Sequence, residues 1–162
     1  MKISIEVNRS HEREKAARLG REATSLKSSG DMDGAIQCLR EVKRLMVANP
    51  SGCTVQQWLR LPLYLQLAGR FDEAMGEFQE LLASPPLARD LRATGRRLES
   101  KDALNMLLHS DFAAIYDKMR LACRREGLTE EAEQYRRLAD EHDLGWQRLN
   151  EKGPVSNFVF GA

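Results

Sequence analysis

Gly69-Arg70-Phe71-Asp72-Glu73-Ala74-Met75 sits between two segments of helical periodicity. Before it, Trp58, Leu61, Leu65 and Ala68 recur at i, i+3, i+7 and i+10. After it, Ala74, Phe78 and Leu81 recur at i, i+4 and i+7. Each flank therefore carries one apolar stripe, the pattern of an amphipathic helix. The phrase has two counterparts, Gly30-Asp31-Met32-Asp33-Gly34-Ala35-Ile36 and Gly127-Leu128-Thr129-Glu130-Glu131-Ala132-Glu133. In all three a glycine stands five residues before an alanine. Glycine ends a helix there because it enters the left-handed conformation with no Cβ penalty. Asp33, Asp72 and Thr129 are placed to accept the free N–H groups of the next helix, and Glu73, Glu130 and Glu131 suit its positive end. The alanine lets the two helices approach closely.

The reading is an all-α chain of three antiparallel helical hairpins, at about 10–29 and 33–48, 54–68 and 72–84, and 111–126 and 130–144. A pair with one apolar stripe per helix cannot bury itself alone, so pairs stack, and about three are needed for a stable solenoid. Trp58, Leu61, Leu65, Phe71, Phe78, Leu81, Tyr116 and Met119 hold the shared stripes and are expected in the core.

The spacing resembles the tetratricopeptide repeat, a helix pair of 34 residues with aromatic, Leu, small, Tyr, Gly, Ala, Phe, Ala and Pro positions. Trp58, Leu61, Leu65, Gly69, Ala74, Phe78, Leu81 and Pro86 follow that order most closely. In the first copy Leu19, Ala23, Leu26, Gly30, Ala35, Leu39 and Val42 match in kind, with Glu22 at the leucine position. In the third, Tyr116, Met119, Cys123, Gly127, Ala132 and Ala139 match, with Arg120 at the small position and Arg136 at the Phe position. The resemblance covers residues 16–86 and 113–146. It implies a concave groove lined by first helices that receives a peptide, helix or acidic surface of another protein. Carried over by position, that groove would present Thr24 and Lys27, then Gln56, Leu59, Leu63 and Gln66, then Asp117, Leu121 and Arg124. Some relatives clamp a terminal carboxylate with lysines and asparagines, and those asparagines are missing here. Leu63 and Leu67 are equally placed to pack beneath an inserted segment.

The glycines are 39 and 58 residues apart (30 to 69 and 69 to 127), more than one unit each. The first excess falls in the loop around Asn49-Pro50-Ser51-Gly52. The second is an insertion over 87–110, of about 24 residues where a junction needs only a few. It carries Arg89, Arg92, Arg96, Arg97 and Lys101 against Asp90 and Glu99, five bases to two acids. Gly95 and sparse apolar residues suggest a mobile start, and Ser100 is suited to cap a short helix through Leu104, Leu107 and Leu108. Arg92, Arg96 and Arg97 are the expected contacts of this segment with a partner. The expected organisation is an extended tail over 1–9, one helical domain over 10–151 and an extended tail over 152–162. Ile3, Ile5 and Val7, and Val155, Phe158 and Phe160, could pair as a ribbon, but a tail that is disordered or ordered only against a neighbouring chain is favoured, because an isolated ribbon is marginal in water, and this leaves a homo-oligomer open.

Composition narrows the function. The 162 residues are 42% hydrophobic and 30% charged, with a net charge of +1, so no global field pulls the chain toward nucleic acid or an anionic membrane. No apolar run is long enough to span a bilayer. Cys38, Cys53 and Cys123 are odd in number and widely spaced, which suits a reducing, cytoplasmic compartment and a bacterial-like protein rather than a disulfide framework. His11, His109 and His142 fall on separate helices without a partner at metal-ligand spacing, and no phosphate loop or nucleophile motif occurs. A zinc site from Glu141, His142, Asp143 and a cysteine is weaker than the reading of solvated charge. No catalysis, cofactor or metal is expected. The expectation is a noncatalytic interaction module, an adaptor, a chaperone-like escort or an inhibitor of the immunity type. The alternative is a nucleic-acid-binding regulator that uses the arginine-rich insertion, although acids flank Arg124-Arg125 and Arg136-Arg137 and stacking aromatics are few.

Overall fold

The computed structural model describes residues 2–151, with side chains from Ser10 onward. Among these residues every regular element is a helix. The chain forms two compact units, with the boundary between Thr94 and Gly95, inside the expected insertion.

The first unit contains α1 (Lys2–Ser29), α2 (Met32–Ala48), the single turn α3 (Val55–Trp58), α4 (Arg60–Leu67), α5 (Phe71–Ala83) and α6 (Pro86–Thr94). Helices α1 and α2 form one antiparallel hairpin, α4 and α5 a second, and α2 packs against α4 to join them. Ion pairs reinforce that join, because Arg40 reaches Glu73 at 2.8 Å and Lys43 reaches Glu77 at 2.7 Å and Glu80 at 2.6 Å. Burial works against the Lys43 charge, but its two carboxylate partners outweigh burial and raise its pKa. The second unit is the hairpin of α7 (Lys101–Arg125) and α8 (Thr129–Glu151).

The three turns are built alike. Gly30, Gly69 and Gly127 have φ of +90°, +74° and +77°. In each, the glycine N–H bonds back three residues (to Lys27, Gln66 and Arg124). The next N–H bonds back five, from Asp31 to Leu26, Arg70 to Leu65 and Leu128 to Cys123, each at 2.9 Å. This is the Schellman arrangement, which satisfies carbonyls that the helix end leaves open. Ala35, Ala74 and Ala132, five residues on, are all buried.

Four expectations are corrected. Asp33 and Asp72 are not caps, because their helices start earlier and both lie in a first turn. Asp31 caps α2, accepting the Gly34 N–H at 2.9 Å. The helix expected over 54–68 is broken, because Pro62 has no N–H for the carbonyl four residues back. A Thr54–Gln57 capping box opens α3, and α4 restarts after Leu59. The insertion does not begin as a mobile loop. Pro85 and Pro86 are buried, Pro86 opens α6, and Arg89 lies 4.8 Å from the Trp58 ring centroid while donating to the Ser84 carbonyl at 2.7 Å. Ser100 does cap a helix, accepting from Ala103 N–H at 3.0 Å, but that helix runs on unbroken to Arg125. Finally, the extended tail expected over 1–9 is helical from Lys2. Ile3 and Val7 also satisfy an i, i+4 spacing, and extending an existing helix costs less than starting a separate element. The expected tail over 152–162, and with it the pairing of the ends, lies outside the described residues.

Six of the eight expected core residues are buried. Phe71 and Tyr116 are only half-buried. Ile36, Leu59, Pro62, Leu65 and Phe78 are the large, fully buried side chains of the first unit, and Ile115, Met119 and Cys123 those of the second.

Two glycines of the same unit separate the turn from the helix. Gly69→Ala forces a side chain into a left-handed conformation and should lower stability by about 1–2 kcal/mol. Gly76→Ala, on an exposed stretch of α5 with open space around it, should raise stability by about 0.5–1 kcal/mol. Urea midpoints of the two variants should move in opposite directions.

Candidate partner-binding cleft

A cleft of about 430 Å³ opens on the first unit between α1 and the segment that enters α4. One wall is a face of α1 with Arg13, Ala17, Gly20, Arg21 and Thr24 at near-helical spacing. The apolar floor is Val42 and Met46 of α2, and the far wall is the Ser51–Cys53 loop with Gln57 and Arg60. The wall of α1 is shallow because its residues are small. Gly20 is buried, and a Cβ there would come within 2.9 Å of Arg60 Nη1. The missing side chain makes room for the guanidinium, which donates to the Gly20 carbonyl at 2.8 Å and to Thr24 Oγ1 at 2.9 Å. Arg13 in turn donates to the Ser51 carbonyl at 3.2 Å.

The electrostatics follow from those partners. Arg13 and Arg60 bond to neutral oxygens, which fix the guanidinium groups without cancelling their charge. Arg21 is exposed beside them, and the cleft lining contains three arginines and no carboxylate. Asp90 accepts the Gly52 N–H at 3.2 Å, and Glu12 borders a smaller hollow of about 30 Å³ next to Arg13. The arrangement favours an anionic group over a neutral one and offers no nucleophile. Burial pushes the Cys53 thiol up, with Asp90 adding to the shift and Arg13 opposing it, and burial likewise raises Cys38 and Cys123. All three cysteines are free.

The expected contact residues are distributed unevenly. Lys27 is exposed on α1 with its ammonium 4.9 Å from the Tyr64 ring centroid. Gln56 is exposed on α3 and Leu63 half-buried on α4. Leu59 and Gln66 are corrected: at 1% and 6% exposure they are core groups, because the break before α4 turns Leu59 inward. Leu67 is 41% exposed, so it is not covered by the insertion. Arg92 is exposed on α6, Arg97 is exposed beyond it and Arg96 is half-buried. In the second unit Arg124 is exposed and Leu121 half-buried. Asp117 bonds to Lys118 at 2.9 Å and Arg120 at 2.7 Å, so its charge is already compensated.

Sequence reading missed the arginine wall, since Arg13, Arg21 and Arg60 lie on no shared motif. The spacing of Arg13, Gly20 and Thr24 by seven and four residues was the available signal. It also left His109 and His142 without partners, whereas their Nδ1 atoms lie 2.8 Å apart across α7 and α8. Among the described residues no helix is long and apolar enough to cross a membrane. No family model, curated protein or solved structure matches the chain.

The raised Cys53 pKa has a measurable sign. A smaller thiolate fraction at neutral pH makes the thiol a slow nucleophile. Alkylation by iodoacetamide at pH 7.5 should be severalfold slower than for a free cysteine and should still be climbing above pH 9. A rate that levels off below pH 8 would contradict the burial seen here.

Proposed function

We propose that this chain is a noncatalytic interaction module built on tetratricopeptide-like hairpins, whose first unit takes up an acidic segment of a partner protein. The observation that carries this reading is the cleft between α1 and α4, which has three arginines and no carboxylate in its lining and an apolar floor. A partner segment with one or two carboxylates beside an apolar side chain complements both properties. Charge there steers encounter, and the floor retains the bound segment. Repeated Schellman turns, buried alanines after them and the packing of α2 on α4 support the repeat-like reading. An adaptor, a chaperone-like escort and an inhibitor of the immunity type all use such a surface in a reducing cytoplasm, and three free thiols suit that compartment.

A second reading rests on exposed Arg92 and Arg97 and takes nucleic acid as the partner. The two readings differ in salt behaviour and location. Capture of a partner from native lysate should fall roughly tenfold or more with Arg13→Glu combined with Arg21→Glu, mainly through slower association. Arg92→Glu combined with Arg97→Glu, which lie outside the cleft lining, should change little. Unchanged capture by the cleft variants would remove the cleft reading. Retardation of a random oligonucleotide that is lost with Arg92→Glu and Arg97→Glu and falls steeply with salt would favour the second.

A further inference from the structure

A row of rings runs along the facing sides of α7 and α8. Tyr116 and Tyr135 stack with centroids 6.1 Å apart at 19°, and Tyr116 also stacks on His142 at 5.6 Å and 18°. Phe112 lies 5.0 Å from His142, and His109 closes the row 5.0 Å from the same ring. The His109 and His142 Nδ1 atoms are 2.8 Å apart. The ring separation is about that distance plus two ring radii, so the nitrogens meet head-on. Helix α8 makes this possible by presenting Gly145 to the His109 ring, where a Cβ would come within 2.6 Å of Cε1 and 2.7 Å of Nε2.

A head-on Nδ1 pair needs one N–H and one lone pair. Two ligands of a metal ion would instead aim both lone pairs at a third point. In the neutral pair a single proton is held between the rings. One added proton goes to the outward Nε2 of the donor ring and leaves the bond intact and charge-assisted. A second must occupy the accepting Nδ1, which sets N–H against N–H and two cations face to face. The contact therefore cannot take up the second proton without breaking.

The surroundings act in the same sense. Burial and the neighbouring His109 hold His142 below the ordinary histidine value, and Glu141 and Asp143 on α8 oppose them without reversing the shift. From α7 the rings of Phe112 and Tyr116 also lie against His142. Because the folded value is depressed, the unfolded hairpin binds more protons below about pH 6.5. Stability is complete above that pH and declines as pH falls toward the folded value.

The geometry points to an acid-opened latch: the His109–His142 pair fastens the open end of the α7/α8 hairpin, and its second protonation releases the last turns of α8 from the first turns of α7. The pair lies 18 residues before Gly127 and 15 after it, roughly 25 Å from the turn and beyond its direct constraint. Opening exposes the ring row and the first part of α7 while the Gly127 end stays closed.

The test is a histidine Cε1–H NMR titration of the full chain together with amide exchange at pH 7.5 and pH 5. The two rings should show coupled, two-step shifts, with the second step displaced below the ordinary histidine value. After correction for intrinsic rates, exchange over 139–151 should rise at pH 5 by about tenfold for a displacement of one unit and by at most about thirtyfold for a larger one, while 115–135 stays protected. His142→Gln and His109→Gln should each abolish the acid sensitivity, because neither retains a proton shared between two rings. Independent one-step titrations at the ordinary value, or equal acid opening in both variants, would overturn the latch. If neither variant folds, the wild-type titration decides alone, since coupled steps need the direct contact.

Discussion

A helix can end in a left-handed residue only where a side chain is no obstacle, and the three tight helix–helix turns of this chain all meet that constraint. Gly30, Gly69 and Gly127 adopt the same positive φ and the same pair of backward hydrogen bonds. Once the backbone turns this way, the next helix leaves antiparallel and close to the first. The residue five positions later falls at the nearest approach, which is why alanine stands there and is buried every time. The pairing of α1 with α2, α4 with α5 and α7 with α8 depends on that local geometry. Hairpins with such local contacts are also the kind that assemble quickly.

Charge distribution follows from how the hairpins of the first unit stack. The carboxylates of α2 and α5 are largely committed to ion pairs: Glu41 with Lys15 and Arg44, Glu73 with Arg40 and Arg70, Glu77 and Glu80 with Lys43. Most of these pairs are exposed and worth little individually. With these carboxylates paired elsewhere, Arg13 and Arg60 bond to neutral oxygens and Arg21 stands exposed beside them in a lining without carboxylates. A chain with a net charge of only +1 thus acquires a basic cleft by sorting its charges rather than by excess.

What was legible in the sequence was whatever depended on neighbours in the chain. The glycine turns, the stripes beside them and the Ser100 cap follow from residues within about one or two helical turns of one another. The broken α3–α4 segment was legible too, because Pro62 is a helix breaker wherever it stands, but the apolar stripe from Trp58 to Ala68 masked it. The first part of the insertion was harder. Its apolar residues are few, and α6 packs against α3 of the same unit, with Pro85-Pro86 buried and Arg89 against Trp58, which no local pattern encodes.

The length of α7 explains the rest. Read as a loop followed by a short helix, residues 101–110 have no fixed relation to α8, and His109 stands alone. Read as one helix from Lys101, the same residues acquire a register. His109 and Tyr116 are then seven apart on α7, Tyr135 and His142 seven apart on α8, and seven residues are close to two turns of either helix. In an antiparallel pair that closes at Gly127, aligning Tyr116 with Tyr135 therefore aligns His109 with His142, as the 6.1 Å ring stack and the 2.8 Å nitrogen contact record. The only missing premise was continuity of the helix. Nothing between Ser100 and Gly127 opposes it, since that stretch contains neither proline nor glycine. An insertion measured against a repeat template looks like surplus chain, whereas the same residues measured by helix breakers are an extension of the third hairpin.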